Sequence, residues 1–181
     1  MHTKNTTRQL VYCAAAIALA TVTSMIKLFS LPMGGAVTLL SMFFIALIGY
    51  WYGPVTGLIT GIAYGLLQFI IEPYFLTLPQ VIVDYPLAFG ALGLSGFFYK
   101  SKNGLAIGYI VGVIGRFFFT FLSGMLFFGA YAADYGMSAF VYSFTYNGSY
   151  LFAEALITLL LIQLPPVKKA LLYMKEMALK A

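Results

Sequence analysis

Six long apolar stretches follow one another along this chain with almost nothing between them, and that pattern decides most of what it can become. They run over residues 10–31, 37–52, 55–71, 79–99, 105–128 and 147–164. A helix crossing the roughly 30 Å hydrocarbon core of a bilayer needs about 20 predominantly apolar residues. Six of them consume most of a chain of 181 residues, leaving room for short loops and no soluble module. Charged residues make up only 8% of the chain, too few to solvate the surface of a soluble domain. The runs are continuous rather than alternating, which selects helices over a barrel, the other architecture that satisfies its backbone in lipid. The expected fold is an all-α integral membrane protein, with six transmembrane helices in a single domain over residues 1–181.

The first run could be a signal peptide, with Ala14-Ala15-Ala16 as a weak cleavage site. Its length, and the five runs behind it, favour a retained helix. The lone cysteine, Cys13, lies inside that run and excludes an internal disulfide. The net charge of +5 does not point to nucleic acid, because the basic residues border apolar runs instead of forming a basic face. They set orientation. With the N-terminus inside, the inner segments hold Lys4, Arg8, Lys100, Lys102, Lys168, Lys169, Lys175 and Lys180, while the outer segments hold Lys27, Glu72 and Asp134. Positive charge concentrates on the cytoplasmic side of membrane proteins, so both termini are expected in the cytoplasm of a multi-pass cell-membrane protein.

Three ionisable residues fall inside the runs: Asp84, Arg116 and Glu154. Each is costly in lipid and requires a partner or a wet cavity. Asp84 is expected about 1.5 turns from the outer end of the fourth helix, Arg116 just past the middle of the fifth, and Glu154 two turns into the sixth. An Asp84–Arg116 pair that merely ties two helices is one reading; a binding site at the same level is the other. Polar and aromatic residues gather at that level. Tyr85 adjoins Asp84, Thr120, Ser123 and Gly124 follow Arg116 outward, and Tyr142-Ser143-Phe144-Thr145-Tyr146-Asn147 opens the sixth run. Tyr142 and Tyr146, like Ser143 and Asn147, share a face if that segment is helical. An interfacial belt of tyrosines explains Tyr74 and Tyr99, but it does not explain Asp84 or Asn147. A mixture of amide, carboxylate and phenol rings suits a small, flat, polar heterocycle.

The first helix carries Ala14 and Ala18, and Ala16 and Ala20, at a spacing that lets another helix approach closely. Gly53, Gly57, Gly61 and Gly65 form a second small-residue ladder, assigned to packing within the chain. No phosphate-binding loop, metal-spaced His/Cys/carboxylate cluster or nucleophile–base pair is present, so the sequence offers no ATPase, no cofactor site and no enzyme.

The succession Pro32-x-Gly34-Gly35, Asp84-Tyr85, Arg116, Ser123-Gly124-x-x-Phe127-Phe128-Gly129 and Tyr142-Ser143-x-x-Tyr146-Asn147 resembles the thiamine-binding S components of energy-coupling factor (ECF) vitamin transporters. The resemblance runs from about Arg8 to the end of the sixth run. It implies six helices around a vitamin near the outer face, served by a membrane-embedded T component and two cytoplasmic ATPases. It implies a substrate pocket of Asp84, Tyr85, Arg116, Thr120, Gly124, Phe128, Tyr142, Ser143, Tyr146 and Asn147. It makes Ala14 and Ala18 the docking face for the T component. Several positions depart from the family, among them the first outer loop, where some relatives carry an aromatic residue and this chain has Met33-Gly34-Gly35-Ala36. Asp84 stands where Glu is common, Phe128 where some relatives carry Trp, and Thr120 where His is usual. Related S components handle vitamin B6 or the hydroxymethyl-pyrimidine precursor of thiamine. A proton-coupled transporter using Asp84 or Glu154 is a further reading.

Overall fold

A computed structural model describes residues 6–101 and 103–179; Lys4, Lys102 and Lys180 of the charge pattern lie outside it. Seven helices are described, numbered here in chain order: α1 (Thr6–Ser24), α2 (Ser41–Tyr52), α3 (Pro54–Ile71), α4 (Leu78–Phe98), α5 (Gly104–Phe127), α6 (Ala139–Gln163) and α7 (Pro165–Leu179). A hairpin of β1 (Lys27–Ser30) and β2 (Ala36–Thr38) joins α1 to α2, and a 3₁₀ segment (Gly129–Tyr135) joins α5 to α6. Four helices, α3 to α6, are long and apolar enough to cross a membrane.

What these helices bury confirms the solvent they are built for. Ile70 is 74% exposed, Val55 69%, Leu160 63% and Phe118 56%, all on outward faces. Ser95, Ser123, Thr158, Gln80, Asn147 and Glu154 are buried. A water-soluble bundle does the reverse, whereas lipid solvates leucine outside and leaves polar groups to pair within. The apolar core centres on α2, where Met42, Ile45, Ala46 and Ile48 are fully buried against Leu92 of α4, Tyr109 and Val113 of α5, and Leu151 of α6.

Three boundaries differ from the sequence expectation, each for a local reason. The first run does not stay helical to residue 31. The hydroxyls of Thr21, Thr23 and Ser24 donate back to carbonyls of their own helix, closing its last turn. The chain then forms an antiparallel hairpin pairing Phe29 with Val37, turned at Pro32-Met33-Gly34-Gly35 with Gly34 at φ +102°. The second run becomes helical only at Ser41, after Leu40 at φ +60°, and α2 is a mere 12 residues long. The sixth starts eight residues earlier than expected, because the Ser138 hydroxyl accepts from the Val141 amide and caps it. Glu154 is therefore about four turns into its helix, not two.

The glycine ladder packs within the chain. A Cβ on Gly57, Gly61 or Gly65 would collide with α4 backbone, and one on Gly65 would lie 2.4 Å from the Tyr85 carbonyl oxygen. Gly53 belongs elsewhere. Its φ of +91° turns α2 into α3, and nothing lies within 4 Å of its missing side chain. The facing helix answers with an unusual backbone. α4 opens as an α-helix, widens to a π turn over Val83–Leu87 and tightens to a 3₁₀ helix over Ala91–Phe98. Pro86 sits in the π turn, where a proline cannot complete the α ladder. In a 3₁₀ helix residues three apart eclipse, so Gly93 and Gly96 line up toward α3.

Candidate functional site

The π turn of α4 places Asp84 and Tyr85 on the wall of a cavity of about 860 Å³ at the end of the bundle that carries the hairpin. Its walls come from α4, α5, α6, the 3₁₀ segment, the loop before α4 and Met33 of the hairpin turn. Of the expected site residues, Asp84, Tyr85, Arg116, Thr120, Gly124, Phe128, Tyr142, Tyr146 and Asn147 line it. Ser143 does not. It is buried one step behind, donating from Oγ to the Phe121 carbonyl at 2.7 Å. Gly124 lies opposite, and a Cβ there would meet Ser143 Oγ. This glycine lets α6 close on α5, and the cavity wall depends on that contact.

The carboxylate of Asp84 accepts from Gln80 Nε2 at 2.7 Å. Gln80 also donates to the Tyr74 carbonyl and accepts from the Leu76 amide, so one buried amide fixes both the acid and the loop over it. Arg116 forms no ion pair with Asp84. Its guanidinium lies 4.0 Å from the centre of the Phe89 ring, and its Nε is buried without a hydrogen bond. The helix-tying pair that the sequence left open is thus absent, and each charge lines the cavity separately.

Asn147 holds the wall together. Its Nδ2 donates to the Thr120 and Ser143 carbonyls at 3.2 and 3.1 Å, and its Oδ1 accepts from the Tyr150 hydroxyl at 3.1 Å. The Thr120 hydroxyl is turned back onto the Arg116 and Phe117 carbonyls of its own helix. Tyr142 and Tyr146 share a face as their spacing predicts, stacked at 5.8 Å. Tyr135 and Tyr150 extend that row on either side. Across the mouth, Phe128 lies between Tyr74 and Tyr131, whose hydroxyls are 2.8 Å apart. That hydrogen bond raises the Tyr74 phenol above its ordinary pKa.

Glu72, Gln80, Tyr131, Asp134, Tyr135 and Tyr150 also line the cavity, and sequence reasoning missed them as site residues. Tyr150 was legible, lying four residues beyond Tyr146 on one helical face. Gln80 was legible in the same way, four residues before Asp84 on α4, whereas Glu72, Tyr131, Asp134 and Tyr135 are brought in by a loop and a 3₁₀ segment that have no periodicity to read. The inventory that results is three carboxylates, one guanidinium and eight aromatic rings around one cavity. Such a lining favours a small cation with flat rings, which gains from carboxylate attraction and from aromatic faces together.

Glu154 takes no part in this cavity. Its Oε2 accepts from the Thr38 amide and hydroxyl, and its Oε1 from the Ser41 hydroxyl and the Met42 amide. No side chain of α2 itself caps that helix. A carboxylate from α6 supplies the cap across the bundle, its charge set against the positive end of the helix dipole.

The comparisons agree with this architecture. A family model described as thiamine transporter protein (Thia_YuaJ) matches residues 10–174. The chain is 36% identical over 152 residues to the thiamine transporter ThiT of Bacillus subtilis, covering 76% of this chain and 77% of that one. It is 31% identical over 96 residues to ThiT of Lacticaseibacillus paracasei, covering 46% and 47%. Among solved structures, ThiT from Listeria monocytogenes superposes with a TM-score of 0.70 at 28% identity, covering 87% of this chain and 94% of that one. A non-enzymatic, multi-pass membrane protein with a ThiT-like fold, the chain belongs to the thiamine transporter family.

Proposed function

We propose that the protein is the substrate-binding S component of an ECF-type importer, a single membrane-embedded domain that captures thiamine from outside the cell. In this reading α1 to α6 are six crossings with both termini cytoplasmic, and the 860 Å³ cavity faces outward. The observation that carries the reading is the cavity lining. Glu72, Asp84 and Asp134 outnumber Arg116 there, beneath a collar of tyrosines. Thiamine has a fixed positive charge and two flat rings. Asp84 is the acceptor for its aminopyrimidine amine, with Tyr85 and Asn147 beside that edge, and Phe128 and Tyr146 pack on the rings. Pyridoxine or the hydroxymethyl-pyrimidine is the second reading, favoured by Thr120, whose inward-bonded hydroxyl presents no ring to the ligand. A proton-coupled transporter would have to use Asp84 as its carrier, because the oxygens of Glu154 are committed to the N-terminus of α2.

The test is thermal unfolding of the purified, ligand-stripped protein with each of the three compounds. Thiamine at 100 times its dissociation constant stabilises the fold by about 2.7 kcal/mol, a rise of roughly 5–10 °C. A rise with pyridoxine or the pyrimidine, and none with thiamine, replaces the ligand and keeps the site. No rise with any of the three removes the reading.

Energy would enter through a T component and two cytoplasmic ATPases. Ala14 and Ala18 support this, since both lie on the exposed face of α1 while Ala16 and Ala20 are buried against the bundle. Replacing Ala14 and Ala18 with leucine is expected to abolish uptake in cells while thiamine still raises the melting temperature in detergent. Unchanged uptake would move the docking face elsewhere.

A further inference from the structure

At the end of the bundle opposite the vitamin cavity, α7 runs back beneath its neighbours. The Tyr52 hydroxyl donates to the Ala178 carbonyl at 3.1 Å, and Leu171 and Ala178 are buried. Leu171 and Ala178 recur at helical spacing on the inner face with half-buried Lys175, and exposed Lys168 lies at its edge. Tyr173, Met174 and Met177 form an exposed apolar arc, with Lys169 and Glu176 between them and the bundle. A helix with such arcs lies in the plane of a membrane interface, its apolar side toward the acyl chains.

Between α7 and the bundle is a second, small cavity of about 100 Å³, walled by Tyr50, Trp51, Asn103, Gln163, Lys168 and Lys175 among others. It has the volume of about three waters at roughly 30 Å³ each, room for a group the size of a phosphate. Among the described residues its polar lining has two ammonium groups and no carboxylate. The first turn of α5 also borders it, and Asn103 does not cap that turn with its side chain. The positive end of the α5 dipole is thus left for another anion. Trp51 is 6% exposed, and its Nε1–H is a buried donor with no partner. Lys175 rests 3.9 Å from the centre of the Tyr50 ring and donates to the Tyr99 carbonyl at 3.4 Å, using one of its three N–H groups.

We propose that this cavity binds the phosphate of an anionic phospholipid headgroup, anchoring α7 to the inner leaflet. Free phosphate shares the chemistry. The lipid is favoured because Leu172, on the cavity wall, is 53% exposed, so the mouth of the cavity carries an apolar surface beside its two ammonium groups. Basic pockets at the cytoplasmic ends of membrane helices meet a leaflet rich in such lipids.

The experiment is thermal unfolding of the delipidated full chain with short-chain phosphatidylglycerol, phosphatidylcholine or inorganic phosphate. Phosphatidylglycerol is expected to raise the melting temperature and the other two are not. The Lys168→Gln/Lys175→Gln double variant is expected to lose that rise. Lys168→Glu, at an exposed position, is expected to lose it too and keeps the test decisive if the double variant does not fold. Equal rises with phosphatidylcholine, a rise with phosphate matching that of the lipid, or a response retained in Lys168→Glu would each overturn the proposal.

Discussion

Asp84→Asn is expected to weaken thiamine binding by about 5- to 15-fold, the loss of roughly 1–1.5 kcal/mol that follows when a charge-assisted hydrogen bond becomes a neutral one. The substitution is nearly isosteric. The asparagine oxygen still accepts from Gln80 Nε2, so the loop over the site keeps its tether and the unliganded melting temperature stays close to that of the parent. Calorimetric titration of both proteins separates the two effects. An affinity for thiamine that does not change would place the cation elsewhere, with Glu72 and Asp134 the carboxylates left to hold it. Removing a negative charge has a second signature. One screened attraction fewer acts on the cation, so binding to the variant should fall less steeply with salt than binding to the parent.

The largest effect on stability is expected from Glu154→Ala. The carboxylate accepts four hydrogen bonds at the start of α2. The Thr38 and Ser41 hydroxyls, already 2.8 Å apart, can turn to one another once it is gone. The Thr38 and Met42 amides have no such option. Two unsatisfied backbone donors at about 1–3 kcal/mol each, with the lost dipole interaction, give a destabilisation of roughly 3–5 kcal/mol. Thr38 ends the hairpin, so the damage should also show locally, as faster amide exchange across residues 27–38. Glu154→Gln should fall between, keeping one acceptor and setting an amide donor against donors. A melting temperature unmoved in Glu154→Ala would mean that α2 needs no cap from α6.

How much of this was legible beforehand depended on what kind of signal each element carries. Length and apolarity announced α3 and α5 almost to the residue, because a membrane helix is defined by the same quantities. Membership of the thiamine transporter family was legible too, in the Asp84-Tyr85 and Tyr142-to-Asn147 motifs. The hairpin was not legible. The two strands fall inside apolar runs that read as helix, and only Lys27 and the Pro32-to-Gly35 turn mark the segment. Hydropathy likewise could not assign Glu154, since a buried acid looks the same whether it meets a ligand or a helix terminus. Its partners are more than a hundred residues away in sequence. The cavity showed the same division. Its helical residues had a spacing to be read, and Tyr131, Asp134 and Tyr135 had none.

The brevity of α2 bears on the energetics of import. Twelve residues of helix reach about 18 Å, little more than half the hydrocarbon thickness, and the hairpin and an open cavity take the remaining depth. In the proposed orientation, with the cavity facing outward, water entering it would bring the outside potential down to the level of Asp84. A cation bound there has crossed little of the membrane voltage, and its affinity should hardly respond to it. The whole drop is compressed across the thin packed floor below. An inside-negative potential of 100 mV then contributes about 2.3 kcal/mol per positive charge to delivery rather than to capture.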